Sequence, residues 1–298
     1  MTRPSLSPSD AVAINAVLAA VRQAADVVCD RWSLALILAA FLGETRFGGF
    51  MTRTGMANRL VTARLRSLEA EGLLVRLPYS RRPLRHEYRL TNMGEAFFEV
   101  VAQMARWRRI WRPAEEDPIA VLVAACAEGP IDGPLICGAC GAAVTARDIE
   151  LRLNRAQLQT MPAKQTAHRR STQAGAPSPG AQDLLGPCLD VFGDKWGIEI
   201  IICAFMRLRR FGDFRAQTGI AASILTDRLA RLTEAGVLER VDGGYRLTPC
   251  GVDVYGVLIA IQDWADTWLA VRYRSPVRLI HRACGQVFHL PPARPNRA

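Results

Sequence analysis

Apolar side chains recur every three or four residues through the first part of the chain, which is the spacing of one face of an α-helix. Residues 9–28 predict an amphipathic helix, with Ser9 or Asp10 as its N-cap. Residues 32–42 are apolar on nearly every side, so they predict a helix that is buried almost all round. The stretch "RFGGFMTRTG" predicts a short helix that ends at Gly55.

The next segment predicts a helix followed by two strands. Asn58–Glu71 predicts a helix, stopped by Gly72, whose inward stripe is Val61, Leu65 and Leu68. The stretches "LLVRLPYS" and "HEYRLT" predict two strands around an arginine-bearing loop, and a long helix follows them. Three helices and a two-stranded hairpin predict a winged helix, in which the third helix is the recognition helix.

The same pattern occurs twice. Residues 26–76 align with residues 190–240 without a gap, and 21 of the 51 positions are identical. The first copy then carries seven extra residues before the match resumes at "YRLT". The predicted fold class is therefore α+β, mainly α, with two tandem winged helix-turn-helix domains that each end in a dimer-type helix.

The duplication divides the chain into five segments. Polar composition rich in Ala, Gln, Pro and Gly marks the stretch between the copies as a flexible linker. The predicted boundaries are 9–112 for the first winged helix, 113–153 for a small cysteine-containing β segment, 154–182 for the linker, 183–271 for the second winged helix and 272–298 for a C-terminal tail.

Charge narrows the class of partner. The net charge of +10 favours a polyanion, either nucleic acid or an acidic membrane surface. Residues 24–114 contain 15 arginines against 8 acidic residues, a net charge of +7, whereas residues 188–271 contain 9 basic and 11 acidic residues, a net charge of −2. The two copies therefore share a pattern but differ in electrostatic character.

The lengths of the apolar runs and the number of cysteines indicate the compartment of the protein and whether it enters a membrane. No apolar run reaches the roughly 18 residues of a membrane span, and the N-terminus lacks the pattern of a signal peptide. Eight scattered cysteines do not suit a secreted disulfide scaffold. We therefore expect a cytoplasmic protein that does not enter a membrane.

The order of short motifs resembles a known family. "D-R-W" or "D-K-W", an apolar helix, "RF-G-F", "T-x-R-L-x-x-L" and "YRLT" are together similar to the HxlR family of bacterial winged-helix transcriptional regulators. The resemblance implies operator binding and pairing through terminal helices, and it covers both copies. Leu18 and Gln182 stand where several members carry a redox-sensing cysteine, and of the two recognition helices only the first has a good N-cap, Asn58.

The first recognition helix and its wing supply most of the candidate DNA contacts. Opposite the apolar stripe, arginine can donate two hydrogen bonds to guanine, and threonine can contact base or phosphate. Arginines on the wing can follow the phosphate backbone or enter the minor groove. The predicted DNA-binding residues are Asn58, Arg59, Thr62, Ala63, Arg66, Arg81, Arg82, Arg85 and Arg89, with Thr226 and Arg228 in the second copy.

The second copy is poorer in such groups. Ser223 and Ala230 replace the two arginines of the first recognition helix, and the second wing has shrunk to "VDGGYRLT". Asp242 replaces basic residues there, and Gly243-Gly244 is expected to form the hairpin turn. We therefore expect the first winged helix to be the principal DNA reader.

The cysteines suggest a metal site that the sequence leaves incomplete. Cys137-x-x-Cys140, flanked by glycines, has the shape of a zinc knuckle, and Cys126 is the third tentative ligand. His168, or His281, Cys284 and His289, could complete a structural zinc site, but no second CxxC is present. A pair of ordinary thiols is the alternative. The buried packing residues are predicted to be Cys29, Cys188, Cys203, Cys250, Trp32, Trp107, Trp196 and Trp264.

No phosphate loop, metal-spaced histidine pair or nucleophile elbow is present, so the sequence predicts no enzyme. It predicts a regulator that binds double-stranded DNA mainly through the first winged helix. The second would be an intramolecular pseudo-dimer partner or an effector- or partner-binding domain, and whole chains could pair as homodimers. The alternative is a winged-helix protein–protein adaptor without specific DNA readout.

Overall fold

A computed structural model describes residues 8–114, 117–126, 133–154, 186–270 and 275–291. It divides into two compact units, which we name after the winged helix that each contains. The first unit comprises Asp26–Gly133, Gly175–Asp194 and Pro292–Ala298. The second unit comprises Met1–Ala25, Pro134–Ala174 and Lys195–Pro291.

The first winged helix has the predicted order of three helices, a hairpin and terminal helices. Helix α1 Pro8–Val28 precedes the winged helix and helix α7 Pro118–Cys126 follows it. The elements between them are α2 Arg31–Phe41, α3 Phe47–Thr54, α4 Asn58–Ala70, β1 Leu74–Arg81, β2 Leu84–Leu90, α5 Asn92–Ala96 and α6 Phe98–Trp111. Strands β1 and β2 pair antiparallel.

The remaining elements are three short strands, a second set of helices and a hairpin in the order of the first winged helix, and a final strand. They are β3 Leu135–Ile136, β4 Ala143–Val144, β5 Ile149–Leu153, α8 Pro187–Phe192, α9 Lys195–Phe205, α10 Phe211–Thr218, α11 Ala222–Glu234, β6 Leu238–Val241, β7 Gly244–Leu247, α12 Pro249–Asp253, α13 Tyr255–Trp268 and β8 Val277–His281. Helices α9, α10 and α11 match α2, α3 and α4 residue for residue in length, as α12 and α13 match α5 and α6. Two tandem winged helices are therefore confirmed.

Local sequence explains why these helices form where they do. Helix α2 is buried along almost its whole length, and the carboxylate of Asp30 caps it by accepting from the backbone N–H of Ser33 at 3.1 Å. Helix α3 ends at Gly55, whose φ of 63° is left-handed. The predicted tryptophan anchors Trp32, Trp107, Trp196 and Trp264 are all buried, as expected.

Each unit contains the helical segment that precedes the other winged helix in the sequence. Residues up to Ala25, which include most of α1, cluster with the second winged helix. Helix α8, which directly precedes the second winged helix, clusters with the first. Each unit therefore combines one winged helix with residues that precede the other winged helix in the sequence.

Within the second unit, α1 is held by polar and apolar contacts. The guanidinium of Arg22 donates to both carboxylate oxygens of Glu199, at 2.8 and 2.7 Å. The side-chain amide of Gln217 donates to Asn15 at 2.8 Å. Ala16 packs with the buried Val277 of β8.

Within the first unit, α8 packs on α6. The rings of Trp107 and Phe192 lie edge to face with centroids 5.4 Å apart. Cys188 is buried, and its thiol lies 3.8 Å from the carbonyl oxygen of Met104. These contacts give α8 an apolar attachment to the first winged helix.

The structure corrects three sequence-based expectations. Helix α1 begins at Pro8, so Ser9 and Asp10 lie inside its first turn rather than at the N-cap. The segment 113–153, expected to be β, also contains helix α7. The segment 272–298 is more than a tail, since its strand β8 pairs antiparallel with β5.

The Arg22–Glu199 pair predicts a large difference between two ion-pair variants of the second unit. The Glu199 side chain is 1% exposed and Arg22 is 21% exposed, so Arg22→Met removes two charged hydrogen bonds from a buried carboxylate. We expect the free energy of unfolding to fall by about 2 kcal/mol. The control is Arg246→Met, whose pair with Glu239 is 56% and 42% exposed and should contribute below about 1 kcal/mol. Urea denaturation measures both variants. If Arg22→Met and Arg246→Met lowered the free energy of unfolding equally, the Arg22–Glu199 pair would not stabilise the packing of α1 in the second unit.

A second stability prediction compares equivalent positions after α2 and α9. Gly43 has a φ of 92°, whereas its counterpart Arg207 has a φ of 65°, which is strained for a residue with a β-carbon. Arg207→Gly should therefore raise the free energy of unfolding by about 0.5–1 kcal/mol, and Gly43→Ala should lower it by a similar amount. Thermal denaturation of the two variants checks this, and a loss of stability in Arg207→Gly would refute it.

Candidate nucleic-acid interface and metal site

Helix α4 presents a basic face opposite its buried stripe. Val61, Leu65 and Leu68 are buried, as predicted. Arg59, Ala63 and Arg66 are exposed on the opposite face, and Thr62 is half-buried. The predicted base-reading side chains are thus accessible, except that the Thr62 hydroxyl already donates to the backbone oxygen of Asn58 at 2.9 Å.

The prediction that Asn58 is the N-cap of α4 is wrong. Ala57 has extended dihedrals of φ −63° and ψ 145°, so it is the N-cap, and no side chain caps α4. Asn58 is therefore the first helical residue. In the second copy, Ala221 occupies the same position with φ −60° and ψ 141°. The two recognition helices begin alike, and their first backbone N–H groups lack a side-chain cap in both.

The hairpin of the first winged helix is a long basic wing. Strands β1 and β2 are 8 and 7 residues long, and Arg81 pairs with Leu84 at the tip. Arg81, Arg82 and Arg85 are exposed at this end. Arg89 is also exposed, but its guanidinium lies 2.7 Å from the Glu87 carboxylate, which lowers its positive potential.

Sequence reasoning missed one arginine beside this wing. The guanidinium of Arg46, at the N-terminus of α3, lies 4.8 Å from the ring centroid of Tyr79 in β1. Arg46 is exposed. An arginine stacked on an aromatic ring is held in place while its edge stays open to acceptors. The sequence feature that could have identified this contact is an arginine at the start of "RFGGF" combined with a tyrosine on the predicted wing.

The recognition helix of the second copy is less basic than α4. Ser223 and Thr226 are exposed on α11, and Asp227 forms ion pairs with Arg228 at 2.5 Å and with Arg231 at 3.1 Å. The Arg228 side chain is 14% exposed, so it is the least accessible arginine among the predicted contacts. The electrostatic difference read from the sequence therefore extends to the helix surface.

The second wing is short. Strands β6 and β7 are four residues each, and Val241 pairs with Gly244. The turn is therefore Asp242-Gly243 and not Gly243-Gly244 as expected, because Gly244 is already the first residue of β7. At about 3.3 Å per residue, the first wing reaches roughly 10 Å farther than the second.

A cluster of four metal-binding side chains lies in the second unit. Cys137, Cys140, His281 and Cys284 place one ligand atom each within 4.8 Å of all the others, so the cluster could hold a metal ion. The His281 Nδ1 atom is 3.4 Å from the Cys140 sulfur and 3.3 Å from the Cys284 sulfur. The predicted pair Cys137 and Cys140 is thus completed by residues that the sequence named among its alternatives.

The other candidate ligands stand apart from this set. Cys126 ends α7, and its side chain lies outside the described residues, as does His168. His289 is exposed and is not part of the cluster. The sequence signal that could have identified the set is the repeat of "LICGACG" at residues 135–141 as "LIHRACG" at residues 279–285, with five of seven residues identical.

The cysteines fall into two chemical groups. Cys29, Cys188, Cys203 and Cys250 are buried, as predicted. Burial raises the pKa of Cys188 and of Cys203 to about 12, so these thiols stay protonated at neutral pH. Burial alone would also raise the pKa of Cys137, but hydrogen bonds from the backbone at Ala139 and Cys140 and from the side chains of Cys140 and Cys284 together lower that pKa below its usual value.

A three-helix unit with a hairpin wing and an exposed basic recognition helix defines the winged helix-turn-helix class of proteins. The family model described as HxlR-like helix-turn-helix matches residues 27–116 and 191–273, which is more than half of the chain. The chain belongs to this family. The family resemblance inferred from the sequence is confirmed in both copies.

Relatives carry names of the same class. An HTH-type transcriptional regulator of Mycobacterium tuberculosis is 38% identical over 130 residues, which are 43% of this chain and 82% of the relative. The HTH-type transcriptional regulator YvaP of Bacillus subtilis is 28% identical over 90 residues, 30% of this chain and 83% of the relative. The crystal structure of PA1607 is 29% identical, covers 42% of this chain and 87% of that one, and superposes with a TM-score of 0.34.

The names of these relatives are those of transcriptional regulators or of a putative transcription factor. Among the described residues, no helix is long and apolar enough to cross a membrane.

Proposed function

We propose that the chain is a transcriptional regulator that binds double-stranded DNA mainly through its first winged helix. The observation that carries the proposal is a set of five exposed arginines that the second copy lacks. Ser223 and Ala230 on α11 replace Arg59 and Arg66 of α4, and the short second wing has no positions equivalent to Arg81, Arg82 and Arg85. Membership of a family of helix-turn-helix regulators supports DNA as the polyanion that this surface binds.

Helix α4 is suited to the major groove. Arg59, Ala63 and Arg66 are spaced at i, i+4 and i+7, so they share one exposed face of the helix. The small side chain of Ala63 lets the helix backbone approach the bases, and Arg59 near the N-terminus can donate two hydrogen bonds to one guanine. The wing arginines then contact phosphates or the adjacent minor groove.

The second winged helix acts as the pseudo-dimer partner of the first. Ordinary helix-turn-helix dimers present two recognition helices to half-sites about 34 Å apart. The presence of α8 in the first unit and of most of α1 in the second supports a fused pair, because each unit is completed by residues that precede the other winged helix. The ion pairs of Asp227 and the short second wing favour an architectural, effector-binding or partner-binding role for this half.

Salt dependence separates this function from that of a protein–protein adaptor. The full-length chain would first capture fragments of genomic DNA, and the best fragment would then be titrated at rising salt. Four phosphate contacts predict a loss of roughly 100-fold in affinity between about 50 and 200 mM salt, because bound cations release counterions. Weak binding that depends on neither salt nor fragment would favour the adaptor and refute the proposal.

A further inference from the structure

Two nearly identical turns face each other in the second unit. In the first, the N–H of Cys137 donates to the Ala142 oxygen at 2.9 Å and the N–H of Gly141 donates to the Cys137 oxygen at 2.8 Å. In the second, the N–H of His281 donates to the Gln286 oxygen at 3.0 Å and the N–H of Gly285 donates to the His281 oxygen at 2.8 Å. Gly141 and Gly285 close the two turns with φ values of 73° and 68°.

We propose that these two turns form a zinc ribbon in which Cys137, Cys140, His281 and Cys284 bind one structural Zn²⁺. Each copy of the repeat supplies two ligands at i and i+3, so the duplicated unit extends beyond the winged helix. The inference is independent of DNA binding, since it rests on the ligand geometry alone.

The ligand set suits zinc. Three thiolates and one imidazole are a donor set of closed, tetrahedral structural sites. With zinc–sulfur bonds of about 2.3 Å and a zinc–nitrogen bond of about 2.0 Å, tetrahedral geometry separates a nitrogen ligand from a sulfur ligand by roughly 3.5 Å. The distances of 3.4 and 3.3 Å from the His281 nitrogen to Cys140 and Cys284 lie close to that value, and no pair of ligand atoms exceeds 4.8 Å.

The surrounding contacts indicate what the metal stabilises. The β5–β8 ladder joins the same two segments of chain, and the N–H of Gly138 donates to the His289 oxygen at 2.9 Å. The hydroxyl of Tyr255 on α13 donates to the Val144 oxygen at 2.7 Å. Zinc would therefore hold together two segments that are 144 residues apart in sequence, from Cys137 to His281, and keep them on the terminal helix of the second winged helix.

Metal analysis of the intact chain tests the proposal without any mutation. Untagged protein, purified under reducing conditions from zinc-supplemented cells, should contain about one equivalent of zinc by mass spectrometry. Zinc replaced by Co²⁺ should show the visible absorption of a tetrahedral cobalt–thiolate centre. Protein that contains no zinc and takes up no Co²⁺ would overturn the proposal, and stoichiometric iron would overturn the choice of metal.

Variants assign the ligands. The double variant Cys137→Ser, Cys140→Ser and the single variant His281→Ala should lose the metal, whereas His281→Cys should keep about one equivalent as a four-cysteine site. The controls His289→Ala and Cys250→Ser change a neighbouring histidine and a buried cysteine outside the cluster, and both should keep the metal. Zinc retained by the double variant, or lost equally from the controls, would refute this ligand set.

Discussion

Replacing Arg81, Arg82 and Arg85 together with alanine is expected to weaken binding to every DNA sequence by roughly fivefold for each phosphate contact that is lost, and by about 100-fold if all three are lost, at about 0.15 M salt. All three side chains are exposed at the tip of the long wing. Each phosphate contact that is lost removes about 1 kcal/mol of counterion release at that salt concentration, and the effect does not depend on base sequence. Specific and non-specific fragments should therefore lose affinity by the same factor.

The salt slope identifies the cause of this loss. The slope of log affinity against log salt should flatten by about one unit for each phosphate contact removed, and so by one to three units. The matched control is the triple variant Arg209→Ala, Arg210→Ala and Arg215→Ala, which removes three exposed positive charges from the second winged helix. We expect little change in that control. A control slope that flattens as much would mean that net charge, and not the wing, determines binding.

The sequence alone predicted the winged helices well because their signals are local. The spacing of Val61, Leu65 and Leu68 defines one face of a helix. Gly55 and Gly72 adopt the left-handed conformation just after helices α3 and α4, where the chain changes direction. The duplication strengthened this reading, since the second copy repeats the apolar pattern with different residues. Helix lengths that agree between the copies follow from this shared pattern.

The predictions of the α4 N-cap and of the second hairpin turn were each wrong by one residue. Asn58 is a strong N-cap residue by composition, but the chain turns into the helix one residue earlier, at Ala57. Both Asp-Gly and Gly-Gly suit a tight hairpin turn, and the Val241–Gly244 pair selects Asp242-Gly243. Propensity does not separate alternatives that differ by a shift of one residue.

The metal cluster and the packing of α1 depend on long-range contacts that periodicity does not report. Cys137 and His281 lie 144 residues apart, and the β5–β8 pairing is one of the long-range contacts that bring their segments together. Similarly, the amphipathic pattern of α1 predicts a buried face but does not state which winged helix buries it. The hydrogen bond from Arg22 to Glu199 shows that the second winged helix packs against α1.

Arg59→Ala is expected to reduce affinity for the best DNA site by about tenfold or more. Arg59 is exposed on the first turn of α4, where a recognition helix contacts base edges, and a bidentate contact to guanine contributes about 1–3 kcal/mol of discrimination. About 1.4 kcal/mol corresponds to a factor of ten in affinity. The loss should be concentrated on the specific site, since non-specific binding depends on phosphates.

Ser223 is the matched position in the second copy. It is exposed on the first turn of α11, at the same distance from the N-cap as Arg59 in α4. Ser223→Ala removes only a hydroxyl from a helix with a short wing and an ion-paired Asp227. The expected change in affinity is therefore less than about threefold, or roughly 0.6 kcal/mol.

We propose that a fused pair of winged helices reads DNA mainly through its first copy. Side-by-side titration of the full-length chain, Arg59→Ala and Ser223→Ala on the best captured DNA site and on one scrambled fragment tests this proposal. We expect a loss of about tenfold or more for Arg59→Ala on the specific site only, and less than about threefold for Ser223→Ala. Equal losses from the two substitutions would contradict it, because both copies would then read DNA alike.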